Sequence, residues 1–200
     1  AGLGGTGGPL AESCVRVGLS LTCIDPDDFG PESWRTQSCT HADAGRAKAD
    51  VLLERLHAIN PQVSLRAGRG WVQDLPWQLL QQSDVLLSAG DNLAMVVALG
   101  RLAQAFGRPL VQAAVHGESL SASVRRWDFR DAAAACPGCA LGAADWNALA
   151  IRQGCDLKSL PAGGAIPTQT VPYVCAAAGQ LAAAEAIVNG DALSVSIAAA

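Results

Sequence analysis

Three things are scarce in this chain, and each narrows its chemistry. Basic residues are not in excess: 14 Lys and Arg stand against 18 Asp and Glu in 200 residues, a net charge of −4. Without a positive balance there is no stripe to track phosphates and no polybasic anchor, so neither nucleic acid nor membrane is expected as a partner. Long uninterrupted apolar runs are missing as well. Residues 171–188 approach spanning length, but Gln180 and Glu185 interrupt an alanine-rich stretch that reads better as a packed core helix. Third, no secretory leader shows at the start, where the chain is expected to have been trimmed. The seven cysteines therefore fit reduced thiols, reactive or metal-binding, better than a disulfide framework, and a cytoplasmic location is expected. Half of the residues are hydrophobic and no charge-rich linker divides them, so residues 1–200 are expected to share one core and form a single domain.

What is present begins at once with Gly2-Leu3-Gly4-Gly5-Thr6-Gly7-Gly8, followed by Ile24-Asp25-Pro26-Asp27. Glycines without a Cβ let main-chain N–H groups close on phosphate, and the helix that follows aims its positive end at the same anion. An acid ending the next strand, about twenty residues on, holds ribose hydroxyls. The helix is expected at residues 9–17 and the strand at 19–24. A loop of this type normally hangs from a preceding apolar strand, which is expected to have been trimmed.

Further along, residues 26–45 are polar and rich in turn formers, which predicts a loop over the site. Val51, Leu52, Leu56 and Ile59 recur at helical spacing and predict a helix over 47–59, stopping before Asn60-Pro61. Strands are predicted at 63–67, 84–89, 109–114 and 119–127, and helices at 77–82 and 93–106, the last closed by Gly107. This alternation argues for an α/β fold: a Rossmann-like, mostly parallel sheet covered by helices on both faces. Ligands on such sheets bind at the carboxyl ends of strands, where Asp25 and Asp91 both fall.

Two residues add chemistry to that crevice. Lys48, after Gly45-Arg46-Ala47, is placed to reach back toward phosphate and offset charge gained in a transition state; the ordinary exposure of lysine favours a solvated surface position instead. Asp91 can hold magnesium through one carboxylate plus phosphate oxygens, or cap the helix that starts at Leu93.

The order of these motifs resembles the ThiF/MoeB family of adenylating domains, which are related to ubiquitin-activating enzymes. The resemblance rests on the glycine loop, Ile24-Asp25-Pro26-Asp27 with Gln37 downstream, Gly45-Arg46-Ala47-Lys48-Ala49, Asn60-Pro61 and Ser83-Asp84-Val85. It continues through Asp91-Asn92, Pro109-Leu110-Val111, Val115-His116-Gly117 and Ala183-Ala184-Glu185-Ala186-Ile187. The resemblance implies ATP- and magnesium-dependent adenylyl transfer to the C-terminal carboxylate of a ubiquitin-like or sulfur-carrier protein ending in Gly-Gly, by a homodimer. It implies that Gly4, Gly5 and Gly7, with Gly2, pack against the nucleotide and that Asp25 takes the ribose. Lys48 then contacts phosphate, Asp91 handles magnesium and the reacting phosphate, and Asp27, Gln37 and Asn92 complete the nucleotide set.

In the loop after the second strand the family shows an Asn followed by an Arg-Gln pair, whereas here Ser33 and Thr36 stand in the Asn and Arg places. Arg35, one position early, is expected to substitute for the Arg. Cys136 and Cys139 form a CxxC, half of a tetrahedral zinc site, and relatives complete theirs with a second CxxC nearer the C-terminus. That second pair is expected to have been trimmed with the tail; Cys155 and Cys175 are the lesser alternative. Cys155 is read either as the thiol that takes the activated protein, with Lys158 or Arg152 lowering its pKa, or as a merely exposed thiol. Cys14 and Cys23 are expected to be buried. Competing readings are a catalytically weakened partner subunit of the same fold, an adenylating relative that acts on a small molecule or a transfer RNA base, and, last, an NAD-dependent oxidoreductase.

Overall fold

In the computed structural model, which describes residues 1–117, 119–131, 133–148, 171–188 and 196–198, strands and helices alternate through the first half of the chain. Helix α1 spans Gly7–Arg16, β1 Leu21–Asp25, α2 Lys48–Ile59, β2 Leu65–Arg69 and the short α3 Gln78–Gln81. Next come β3 Leu86–Ser88, α4 Leu93–Phe106, β4 Leu110–His116, β5 Ser121–Trp127, α5 Ala143–Ala148, α6 Pro172–Ile187 and β6 Ser196–Ala198. The α4 limits coincide with those expected, because both ends are chemically marked. Asn92 Oδ1 accepts the N–H of Met95 at its start, and Gly107, at φ +61°, closes it in the left-handed conformation. Helix α1 starts two residues earlier than expected, since Gly7 and Gly8 are themselves helical. A methyl on Gly7 would fall on the Gly2 carbonyl, and one on Gly8 would lie 2.7 Å from Ser38 Oγ.

The parallel core is present in two pairs, β1 with β2 and β3 with β4. Ala1 and Gly2 stitch these pairs together: the Gly2 N–H donates to the Ile24 carbonyl at 2.9 Å, and the Ala89 N–H donates to the Ala1 carbonyl at 2.9 Å. Beyond β4 the sheet turns antiparallel through the hairpin to β5 and on to β6. A two-sided core explains why β3 and β4 read as apolar runs. On one face Ile24, Leu86 and Leu110 pack with Met95 and Leu99 of α4. On the other, Val111, Ala113 and Val124 pack with Leu10 and Cys14 of α1 and with Val174, Ala178 and Ala182 of α6. Burying each fully enclosed aliphatic side chain such as Ile24, Leu99 or Leu110 contributes about 1.5–3 kcal/mol.

Helix α6 is built of small residues, and that lets it come close. Its Gly179 sits so near the start of α1 that a methyl there would fall on the Thr6 carbonyl oxygen and 2.9 Å from the Leu10 nitrogen. Arg126 of β5 fastens the far end of the helix, Nη1 donating to the Glu185 carbonyl at 3.1 Å. Among the described residues no helix is long and apolar enough to cross a membrane, and the stretch ending in α6 packs inside the fold.

Candidate nucleotide site

The carboxyl ends of β1, β2 and β3 converge on the glycine loop around a cavity of about 190 Å³. Gly2, Gly4 and Gly5, Asp25 and Asp27, Gln37, Lys48, and Asp91 with Asn92 all line it. Residues as far apart in sequence as 2 and 92 thus share one small space.

Asp25, at the end of β1, is buried, and its carboxylate organises the loop. Oδ2 accepts the Leu3 N–H at 2.6 Å and Oδ1 accepts the Asp27 N–H at 2.9 Å. Burial pushes its pKa above the ordinary 3.8, opposed by the Lys48 charge and the two N–H bonds. A carboxylate has roughly four acceptor positions, so lone pairs remain for hydroxyl donors. Gly2 adopts φ +84°, and a side chain there would lie 2.6 Å from the Gly90 nitrogen, which accounts for glycine at that turn. Gly4 is different: a methyl on it would meet only Gln37 Oε1, at 3.9 Å, so its outer face is open to a ligand.

Lys48 is where the structure departs from the ordinary behaviour of its residue type. It opens α2 at only 6% relative exposure, so the solvated-surface reading is corrected. Its Nζ pairs with Asp27 Oδ2 at 3.1 Å. The isolated bridge between Asp28 and Ala47, with the Lys48 N–H donating to the Asp27 carbonyl at 3.0 Å, pins the start of α2 against the strand end. Burial of an ammonium is tolerated beside such a carboxylate, and the charge is held at the cavity wall.

The loop over the site is fixed by a second ionic cluster that sequence reasoning missed. Asp43 accepts from the Thr40 N–H at 2.7 Å and the Thr40 hydroxyl at 2.8 Å, and pairs with Arg55 at 2.7 Å. The Thr40 N–H and hydroxyl hold its carboxyl below the usual 3.8. Arg55 also donates to the Ser38 carbonyl at 2.7 Å, tying the segment that carries Gln37 to α2. Gln37 Oε1 is buried and, among the described atoms, accepts no hydrogen bond. An orphan acceptor beside an open glycine face fits a site that is completed by a polar ligand.

Arg35 is not brought to this group. It is exposed, its guanidinium lies 5.6 Å from the ring centre of Trp34, and Trp34 in turn stacks on His41 at 4.7 Å. Thr36 lines the cavity instead. Asp91 is exposed at the rim, consistent with the donor set magnesium prefers; the helix cap expected as its alternative role is made instead by Asn92, which also lines the cavity.

Cys136 and Cys139 lie with their sulfurs 3.1 Å apart, and the Cys136 N–H donates to Cys139 Sγ at 3.2 Å, which holds the Cys139 thiol below its ordinary pKa. No group of three or more His, Cys, Asp or Glu able to hold a metal occurs among the described residues. Cys175 does not supply the missing ligand: it is buried on α6, 3.3 Å from where a Gly5 side chain would begin. Cys155 lies outside the described residues. Cys14 and Cys23 are buried as expected, and burial pushes both thiols up to about 11. Trp71, Val72 and Met95 complete the cavity wall. Sequence reasoning passed over Trp71, because the predicted strand ended at residue 67 whereas β2 runs to Arg69 and brings Gly70 and Trp71 to its carboxyl end.

A glycine turn ahead of the first helix, an acid ending the adjoining strand and a sheet covered on both faces define a Rossmann-like α/β domain. A profile of the ThiF family matches residues 1–189, and the chain belongs to that family. Among curated proteins it is 31% identical over 122 residues to the sulfur carrier protein ThiS adenylyltransferase of Escherichia coli (strain K12), covering 58% of this chain and 47% of that protein. It is 27% identical over 118 residues to the SAMP-activating enzyme E1 of Haloferax volcanii, covering 58% of this chain and 44% of that protein. The chain thus spans about half the length of the curated relatives it matches. Of solved structures, E. coli MccB with ATP superposes with a TM-score of 0.68 at 18% identity, covering 92% of this chain and 52% of that one. MccB with AMPCPP and MccA gives 0.69 at 17% identity, with the same two coverages. These two likenesses concern the fold alone.

Proposed function

We propose that this chain is the ATP-binding domain of an adenylyltransferase that activates the C-terminal carboxylate of a ubiquitin-like or sulfur-carrier protein, working as a cytoplasmic homodimer. The observation that carries the reading is the buried Lys48, held at the wall of the same cavity as the open face of Gly4, the orphan oxygen of Gln37 and the Asp25 carboxylate. Kinship with ThiS adenylyltransferase and the SAMP-activating enzyme supports the choice of adenylyl acceptor.

In this reading a carboxylate oxygen of the partner attacks the α-phosphorus of ATP, the bond to the β-phosphate oxygen breaks, and pyrophosphate leaves with the electron pair. The protein's task is alignment and charge. Main-chain N–H groups of the glycine loop and the start of α1 face the phosphates, and Asp25 accepts from ribose hydroxyls. Lys48, released from its pairing with Asp27, neutralises oxygens that gain charge. Asp91 would hold magnesium, which supplies charge neutralisation on the departing pyrophosphate. Arg35 would add a second cation on leaving the face of Trp34, and the Cys155 thiolate would take the acyl group as a thioester, AMP leaving as the acyl–phosphate bond breaks. Cys136 and Cys139 would supply two of the four ligands of a structural zinc site.

Pyrophosphate exchange into ATP, measured with and without candidate proteins ending in Gly-Gly, tests the reading. Exchange that depends on such a partner supports it, and ATP binding without exchange for any of them overturns it. The second outcome would favour a catalytically weakened partner subunit, a reading that the outward-facing Arg35 and the Ser33 and Thr36 replacements support.

A further inference from the structure

Beside its polar groups the cavity wall carries an apolar set, Ile24, Trp71, Val72 and Met95. Across the sheet the order is fixed by hydrogen bonds. The glycine loop joins β1 on its β3 side, through Gly2 to Ile24 and Ala1 to Ala89. Asp25 ends β1, and β2 lies on the opposite side, with Asp25 in register with Arg69. Gly70 and Trp71 follow directly. A ligand with phosphates at the loop and ribose at Asp25 therefore extends its base toward Trp71, one strand spacing of about 4.8 Å further on.

The segment that carries Trp71 is held firmly. The Gly70 N–H donates to the Asp25 carbonyl at 3.2 Å, and the Asp74 N–H donates to the Trp71 carbonyl at 2.9 Å in a tight turn. Leu75 folds back over the strand end, so close that a methyl on Gly68 would lie 3.1 Å from its Cδ1. Trp71 itself is half-buried and lines the cavity with Ile24, Val72 and Met95. A pre-positioned indole beside aliphatic walls suits one flat heteroaromatic ring.

We infer that Trp71 is the specificity-determining platform on which the adenine of ATP stacks. This rests on the nucleotide reading above. The test is calorimetric titration of the purified protein and of Trp71→Leu, Trp71→Phe and Trp71→Ala with ATP and with inorganic tripolyphosphate, which lacks the base. Loss of an aromatic–base stack should weaken ATP binding about tenfold in Trp71→Leu and Trp71→Ala. Trp71→Phe should stay within about threefold of wild type, and tripolyphosphate affinity should not change in any variant. Equal ATP affinity in Trp71→Leu and Trp71→Phe would overturn the assignment even if Trp71→Ala fails to fold. A parallel loss of tripolyphosphate binding would overturn it too, since Trp71 would then only support the fold. Failure of the wild type to bind ATP would instead sink the nucleotide reading itself.

Discussion

Replacing Gly179 by alanine tests whether the approach of α6 to the glycine loop sets the geometry of the site. On helix propensity alone the change is favourable by about 1 kcal/mol, because alanine loses less backbone entropy in a helix interior than glycine. The packing opposes it. The new methyl would fall on the Thr6 carbonyl oxygen and 2.9 Å from the Leu10 nitrogen, both of them main-chain atoms of the first turn of α1 and its cap. Real Cβ atoms essentially never come within 3.0 Å of such atoms, and a backbone cannot swing aside as a side-chain tip can. Helix α6 must therefore withdraw, parting Cys175 from Gly5 and opening the core made by Leu10, Cys14, Ala178 and Ala182. Overpacking of this kind costs about 1–3 kcal/mol or more, enough to outweigh the propensity gain. Urea unfolding followed by far-ultraviolet circular dichroism should thus show a net loss of up to about 2 kcal/mol. ATP affinity should fall roughly tenfold as the loop is displaced. Stabilisation by about 1 kcal/mol, the result expected of an uncrowded helical glycine, would refute the reasoning.

Lys48→Met should leave folding intact but slow pyrophosphate exchange by about 10²-fold or more, and a rate within tenfold of wild type would exclude a charge-neutralising role. Arg35→Ala should keep ATP affinity within about twofold, since the guanidinium lies outside the cavity, while slowing exchange, the pattern of an interaction made only in the transition state. Asp43→Asn should cost about 1–2 kcal/mol at pH 7 by loosening Arg55 and the loop over the site. Because the Asp43 pKa is depressed in the folded state, its contribution is present above the unfolded value of 3.8 and is lost as pH falls through the lower folded value. Urea midpoints of wild type and Asp43→Asn should accordingly converge in acid.

Where an element carried its own local marks, it was legible in the chain. Helix α4 is bracketed by an N-cap Asn92 and a left-handed Gly107, and both act within four residues of the helix they bound. The glycine loop and Asp25 were legible for a similar reason: the turn needs glycine whatever surrounds it, and an acid at a strand end is a local feature. The burial of Cys14 and Cys23 followed from residue type. By contrast, the antiparallel course of β5 and β6 depends on where the chain returns, which short-range alternation does not encode.

Sequence alone specified a Rossmann-like alternation, a glycine turn ahead of the first helix and an acid at the end of the adjoining strand, because each follows from spacing within one turn or one strand. Only the folded structure decided that Lys48 is buried, that Arg35 faces outward over Trp34, that Gln37 brings near Gly4 an oxygen with no partner among the described residues, and that Trp71 walls the same space. The Lys48, Gln37 and Trp71 outcomes depend on segments tens of residues apart competing for one volume, and the winner is set by packing and desolvation.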